Sequence, residues 1–129
     1  LPLTPDDHAL IAQATPFAAI MTGHENHTVG AAVRCADGSI FCGINVYAIH
    51  GACAEQVALG TAITLGQRDF TTIVAVRGEN GEEIIPPCGN CRQILSYAPE
   101  CAIIIDTDGT LVKILARELL PFAYHSEDA

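Results

Sequence analysis

The chain has 129 residues, half of them apolar and 16% charged, with six Lys and Arg against fifteen Asp and Glu for a net charge of −9. That supplies one hydrophobic core and one domain, residues 1–129, so folding does not require a metal. The acidic balance speaks against nucleic acid and anionic membranes, which are held by Lys and Arg, and favours a small neutral or cationic substrate.

The opening segment, Leu1 to Asp7, is acidic and has no basic targeting region, which points to the cytoplasm. No run approaches the roughly 18 apolar residues of a spanning helix. Thr4 is placed to cap a first helix, with Pro5 in its first turn and Asp6 and Asp7 at its positive end. Leu10, Ile11, Ala14, Phe17, Ala18 and Met21 recur at helical spacing, and Pro16 inside that pattern should kink the helix or end it early. Two strands follow, Thr28 to Cys35 and Ser39 to Val46, around the turn signal Asp37-Gly38. Gly30, Ala31 and Ala32 are poor strand formers, so a close neighbour is expected there.

Cys53 to about Leu65 reads as a helix stopped by Gly66, and Phe70 to Arg77 as a buried strand. Gly78 to Glu83 is a turn. Cys88 to about Tyr97 is a third helix, preceded by Pro86-Pro87 and followed by Pro99. Ala102 to Ile105 and Leu111 to Ile114 are strands around Thr107-Asp108-Gly109, and Ala116 to Leu120 is a last helical turn. The order α-β-β-α-β-α-β-β-α predicts an α/β fold: a three-layer α-β-α sandwich, with helices on both faces of a mixed sheet of about five strands. The two strands joined by the third helix should be parallel neighbours.

Two motifs carry chemistry. Cys53-Ala54-Glu55 opens the second helix, and Pro87-Cys88-Gly89-Asn90-Cys91-Arg92-Gln93 opens the third. Thiolates are the metal-binding form of cysteine and are stabilised at helix N-termini. Cys88 and Cys91, three apart, share one face of one turn. With Cys53 they make a three-sulfur set that suits Zn²⁺ and leaves a fourth position for water. Glu55 is then placed to take that water's proton and pass it to a leaving group.

These motifs resemble those of the cytidine deaminase family, in which a Cys or His ligand, a Glu two residues on and Pro-Cys-x-x-Cys recur. The likeness extends through Val29-Gly30-Ala31-Ala32-Val33 and Gly43-Ile44-Asn45-Val46. It implies a five-stranded sheet, a homotetramer, Zn²⁺ on Cys53, Cys88 and Cys91, and hydrolytic removal of the amino group from a cytosine nucleoside such as cytidine or deoxycytidine. It further implies that Glu55 shuttles protons, that Asn45 contacts the sugar, that backbone near Ala54 and Cys88 holds the ring's polar edge, and that Arg92 hydrogen-bonds the thiolates. Two positions depart from the family. Tyr47 stands where an acid usually grips the sugar, and His27 where an aromatic ring stacks on the base. Asn45-Val46-Tyr47 and Arg117-Glu118-Leu119-Leu120-Pro121 look more like the blasticidin S deaminase branch. That makes blasticidin S or an N4-substituted cytidine the alternative substrate.

A plainer reading has His50 close a structural Cys₃His zinc site with Cys53, Cys88 and Cys91, with no open position and no role for Glu55. Cys35, Cys42 and Cys101 read as buried structural thiols. His8, His24 and His125, near ends or loops, read as solvated, as do Glu127 and Asp128.

Overall fold

In the computed structural model, residues 1–20 and 28–125 are described. The first helix, α1 (Pro5–Ile20), starts at a double clamp: the Thr4 N–H and hydroxyl both donate to Asp7 Oδ2, at 2.8 and 3.0 Å. Lys113 closes an ion pair on the same oxygen at 2.8 Å. α1 does not stop at Pro16 but runs four residues further. Leu10, Ala14 and Ala18 are buried on both sides of Pro16, so packing outweighs the local cost of about 3 kcal/mol.

The strands β1 (Val29–Cys35) and β2 (Ile40–Ile44) form the expected antiparallel hairpin. The chain then enters α2 (Ala54–Thr64), capped by Cys53 and closed when Gly66 N–H and Gln67 N–H donate to the Ile63 and Ala62 carbonyls. After β3 (Phe70–Arg77) comes a two-residue strand that was not expected, β4 (Glu83–Ile84), paired to Val76 and Arg77 and braced by an Arg77–Glu83 ion pair. The third helix, α3 (Gly89–Leu95), is capped by Cys88 and ends two residues sooner than expected, where the Ser96 hydroxyl turns back to the Gln93 carbonyl. β5 (Ala102–Thr107), β6 (Thr110–Leu115) and the single turn α4 (Ala116–Leu119) complete the described fold.

The sheet order is β2-β1-β3-β5-β6, with β4 beside β3. β3 and β5, joined through α3, are parallel, and the other pairs are antiparallel. Because strand side chains alternate, β1 and β3 feed two cores. Ala31, Val33, Ile73 and Ala75 pack with Ala54, Ala58 and Leu59 of α2 and Leu95 of α3. Ala32, Val74 and Val76 pack with Leu10, Ala14 and Ala18 of α1. Two glycines let the helices in. A Cβ on Gly30 would lie 2.6 Å from the Ala14 carbonyl oxygen, and one on Gly43 would lie 2.6 Å from the Ala58 nitrogen. This is the close approach expected at Gly30. The arrangement sets the N-termini of α2 and α3, each carrying a cysteine cap, side by side.

Candidate metal and catalytic site

Cys53 ends the loop after β2, and Cys88 ends the Pro86-Pro87 run. Both are extended N-cap residues, with φ/ψ of −66/156° and −70/171°. Cys91 lies at the third helical position of α3, one turn above Cys88. Their Sγ atoms are 3.2 Å (Cys53–Cys88) and 3.6 Å (Cys88–Cys91) apart, and all three lie within 4.8 Å of one another. A tetrahedral ion with Zn–S bonds of about 2.3 Å holds its sulfurs about 3.8 Å apart, close to this spacing. Among the described residues this is the one group of metal-ligand type, and His50 is outside it. The closed Cys₃His reading is therefore not what the chain builds: His50 is exposed on the loop before the site.

The electrostatics call for a cation. Burial pushes the Cys91 thiol far up, and the charges of Glu55 and Cys53 push it further. Cys53 is raised by burial and by Cys88. At Cys88 burial also pushes upward, but the Cys91 and Asn90 N–H groups at the helix end, with the neighbouring thiols, outweigh it and bring Cys88 below the usual thiol value. One thiolate is favoured there; three together are not, unless a divalent ion offsets their charge. The distant cysteines differ. Burial lifts Cys101 to about 12 and raises Cys35 and Cys42, so these remain neutral thiols.

Glu55, in the first turn of α2, is only 5% exposed, and burial raises its carboxyl pKa. It lines a cleft of about 360 Å³ together with Asn45, Tyr47, Cys53, Ala54 and Cys88. Asn45 also fastens the wall: its Oδ1 accepts from the Val29 N–H at 3.0 Å. Tyr47 and Ile49 sit on a tight loop closed by paired hydrogen bonds between Val46 and Ala52, at 2.8 and 3.0 Å. Val29, Ala52, Ile85 and Pro86 also line the cleft and were not anticipated. Ile85 and Pro86 adjoin the second cysteine motif, and Val29 is tied to Asn45.

Of the expected site residues, Cys53, Cys88, Cys91, Glu55, Asn45, Tyr47 and Ala54 come together. His27 lies outside the described residues, as do His24 and the acidic tail. Arg92 is close by but not on the sulfurs: its Nε donates to the Pro87 carbonyl at 2.9 Å and its Nη1 to the Leu119 carbonyl at 3.4 Å. His125 is not merely solvated either. Its Nε2 is 2.7 Å from the Ser96 hydroxyl, and its ring stacks on Tyr97.

Residues 4–106 match the family model of the cytidine and deoxycytidylate deaminase zinc-binding region. A blasticidin-S deaminase from Bacillus cereus is 38% identical over 132 residues, spanning 95% of this chain and 94% of that one. A cytidine deaminase from Halalkalibacterium halodurans is 37% identical over 78% of this chain and 79% of its own. Among solved structures, the cytidine deaminase of Burkholderia pseudomallei superposes with a TM-score of 0.74 at 32% identity, covering 95% of this chain and all of that one. That of Mycobacterium tuberculosis gives 0.76 at 27% identity, with coverage of 95% and 100%. With the zinc-binding region matched over residues 4–106 and the fold shared, the chain belongs to the cytidine and deoxycytidylate deaminase family and is a zinc-dependent hydrolase that deaminates the cytosine ring.

Proposed function

We propose that Cys53, Cys88 and Cys91 hold the Zn²⁺, that Glu55 moves the protons, and that the substrate is a free cytosine nucleoside. The carrying observation is the juxtaposition of three sulfurs within 4.8 Å of one another with a buried carboxylic acid in the same cleft. When bound, zinc supplies Lewis acidity that brings the ionisation of water from a pKa of about 15.7 toward about 7. Glu55, its carboxyl pKa raised by burial, accepts the attacking water's proton and delivers it to ring N3 as the water's oxygen bonds to C4. With the water's oxygen now bonded to C4, Glu55 carries the remaining proton of that oxygen to the exocyclic amine; the C4–N bond breaks, ammonia leaves and C4 keeps its oxygen as the carbonyl. The wall around Ala54 and Cys88 orients the ring, and Asn45 and Tyr47 meet the sugar.

The absence of basic side chains from the cleft supports a nucleoside over a nucleotide. Of the six Lys and Arg, none lines it. Arg77 pairs with Glu83, Lys113 with Asp7 and Arg117 with Glu100. Arg34, Arg68 and Arg92 donate to backbone carbonyls. A phosphate entering here would bury charge without a partner. A second reading, blasticidin S as substrate, is favoured by the Bacillus cereus relative matching along nearly the whole chain and by Tyr47 in place of an acid. Ammonia release from cytidine, deoxycytidine, blasticidin S and cytidine 5′-monophosphate, side by side, tests both. Turnover of any of the first three with little of the last supports the nucleoside assignment, and efficient turnover of the monophosphate overturns it.

A homotetramer fits the exposed apolar group Val46, Tyr47 and Ile49 at the cleft mouth, Ile49 being 96% exposed. Sedimentation equilibrium checks it. Reduced metal-binding thiols fit a cytoplasmic enzyme, and no described helix is long and apolar enough to cross a membrane.

A further inference from the structure

The helix that carries two of the three cysteines is short. α3 has seven residues, well below the dozen or more needed for a helix to hold itself together in water. Its place must come from its neighbours. Leu95 and Ile94 fasten its inner side to the core of the sheet. On its outer side, four residues in or just after the helix reach one continuous stretch of chain. Arg92 Nη1 donates to the Leu119 carbonyl at 3.4 Å, and Gln93 Nε2 to the Tyr124 carbonyl at 2.9 Å. The Ser96 hydroxyl meets His125 Nε2 at 2.7 Å, and the Tyr97 ring stacks on His125 with centroids 4.2 Å apart and planes 23° apart.

That stretch is itself docked beyond the end of α3. The Ala116 N–H donates to the Cys101 carbonyl, the Arg117 N–H to the Pro99 carbonyl, and Arg117 pairs with Glu100. Between Leu119 and Tyr124 the chain reverses through Phe122, which sits at φ 57°. A bulky residue in left-handed backbone costs of order 1–3 kcal/mol and persists only where the surroundings over-determine it. The bonds on either side of Phe122 supply that determination.

We propose that residues 116–125 act as a strap that positions α3, and with it Cys88 and Cys91, against Cys53 on the neighbouring helix. The proposal rests on reading the three cysteines as the zinc site. The strap supplies no member of the three-cysteine group. It acts through α3, as outer partners of metal ligands do when they fix ligand orientation. Gln93, Ser96, Tyr97 and His125 are thus positioning residues. Because the strap adds no ligand, its loss should quicken metal exchange without changing how much metal the chain can hold.

The test compares the zinc-loaded protein with Gln93→Ala/His125→Ala and, as a milder variant, His125→Phe, which keeps a ring against Tyr97 but loses the bond to Ser96. Zinc transfer to a chromogenic chelator is followed in time, with zinc content at saturation and Tm measured on the same samples. The expected result is a release rate about 10–100-fold faster in the double variant, an intermediate rate in His125→Phe, and one zinc per chain in all three. Release within twofold of the parent in both variants, whatever the change in Tm, would overturn the strap. A parent protein that binds no zinc would instead overturn the assignment of the three cysteines, and the strap with it.

Discussion

The two faces of the sheet handle buried charge in opposite ways. On the α1 face the buried acid is Asp7, 2% exposed, and it is fully answered: two donors from Thr4 and the ammonium of Lys113 converge on one oxygen. Burial alone would raise Asp7, but Lys113 and Thr4 outweigh it and hold the carboxyl below its ordinary range. On the α2/α3 face the buried acid is Glu55, raised by burial, with no Lys or Arg among the described residues lining its cleft and three thiols as company. Two side chains both nearly hidden from solvent thus carry opposite shifts, Asp7 lowered and Glu55 raised. The difference lies in whether the sequence supplies a partner. An acid left without a cation, beside sulfurs that need one, marks where function sits.

The largest effect is expected at Glu55. Glu55→Gln should lower kcat by about 10²–10⁴-fold, the usual worth of a general acid–base, while zinc content and Tm stay at or above those of the parent. Near-normal turnover would remove Glu55 from the chemistry. On the other face the losses should fall on stability instead. Gly30→Ala drives a Cβ into the α1 backbone and should cost about 2–3 kcal/mol in urea unfolding, with kcat of the folded protein preserved. An unchanged midpoint would mean that α1 can move away freely. Lys113→Met should cost about 1–3 kcal/mol at neutral pH by leaving Asp7 short of a partner. The pH dependence has a definite sign. A carboxyl with a depressed folded pKa contributes stability above its unfolded value of about 3.9, and that contribution is lost as pH falls through the lower folded value. The parent should therefore lose stability faster than Lys113→Met on acidification below about pH 4, so the two curves converge; parallel curves would contradict the pairing. The smallest effect on stability belongs to zinc removal. A chelator should abolish turnover yet leave a folded protein with a modestly lower Tm, because the two cores do not depend on the metal.

Much of this could be read before the fold was known, for reasons that differ by residue. The cysteine motifs are local: a three-residue spacing and a helix cap bring Cys88 and Cys91 together whatever surrounds them, and the αβ order brings Cys53 to them. The hairpin at Asp37-Gly38 and the strand from Phe70 to Arg77 were legible because turn chemistry and β-branched runs act over a few residues. What escaped depends on distant contacts. Pro16 was expected to disturb a helix that burial of Ala18 instead carries through. β4 is two residues long, too short for any alternation to show. Arg92 was expected on the thiolates, but the carbonyls of Pro87 and Leu119, the second brought in from 27 positions away, claim its guanidinium. His125 has nothing in its sequence surroundings to announce Ser96 and Tyr97.

Zinc K-edge X-ray absorption on the purified protein reads the metal's coordination shell directly. The account predicts three sulfur scatterers at about 2.3 Å and a single light atom at about 2.0–2.2 Å without the multiple-scattering pattern of an imidazole. Fewer than three sulfurs, or a histidine ring in the fourth position, would contradict it.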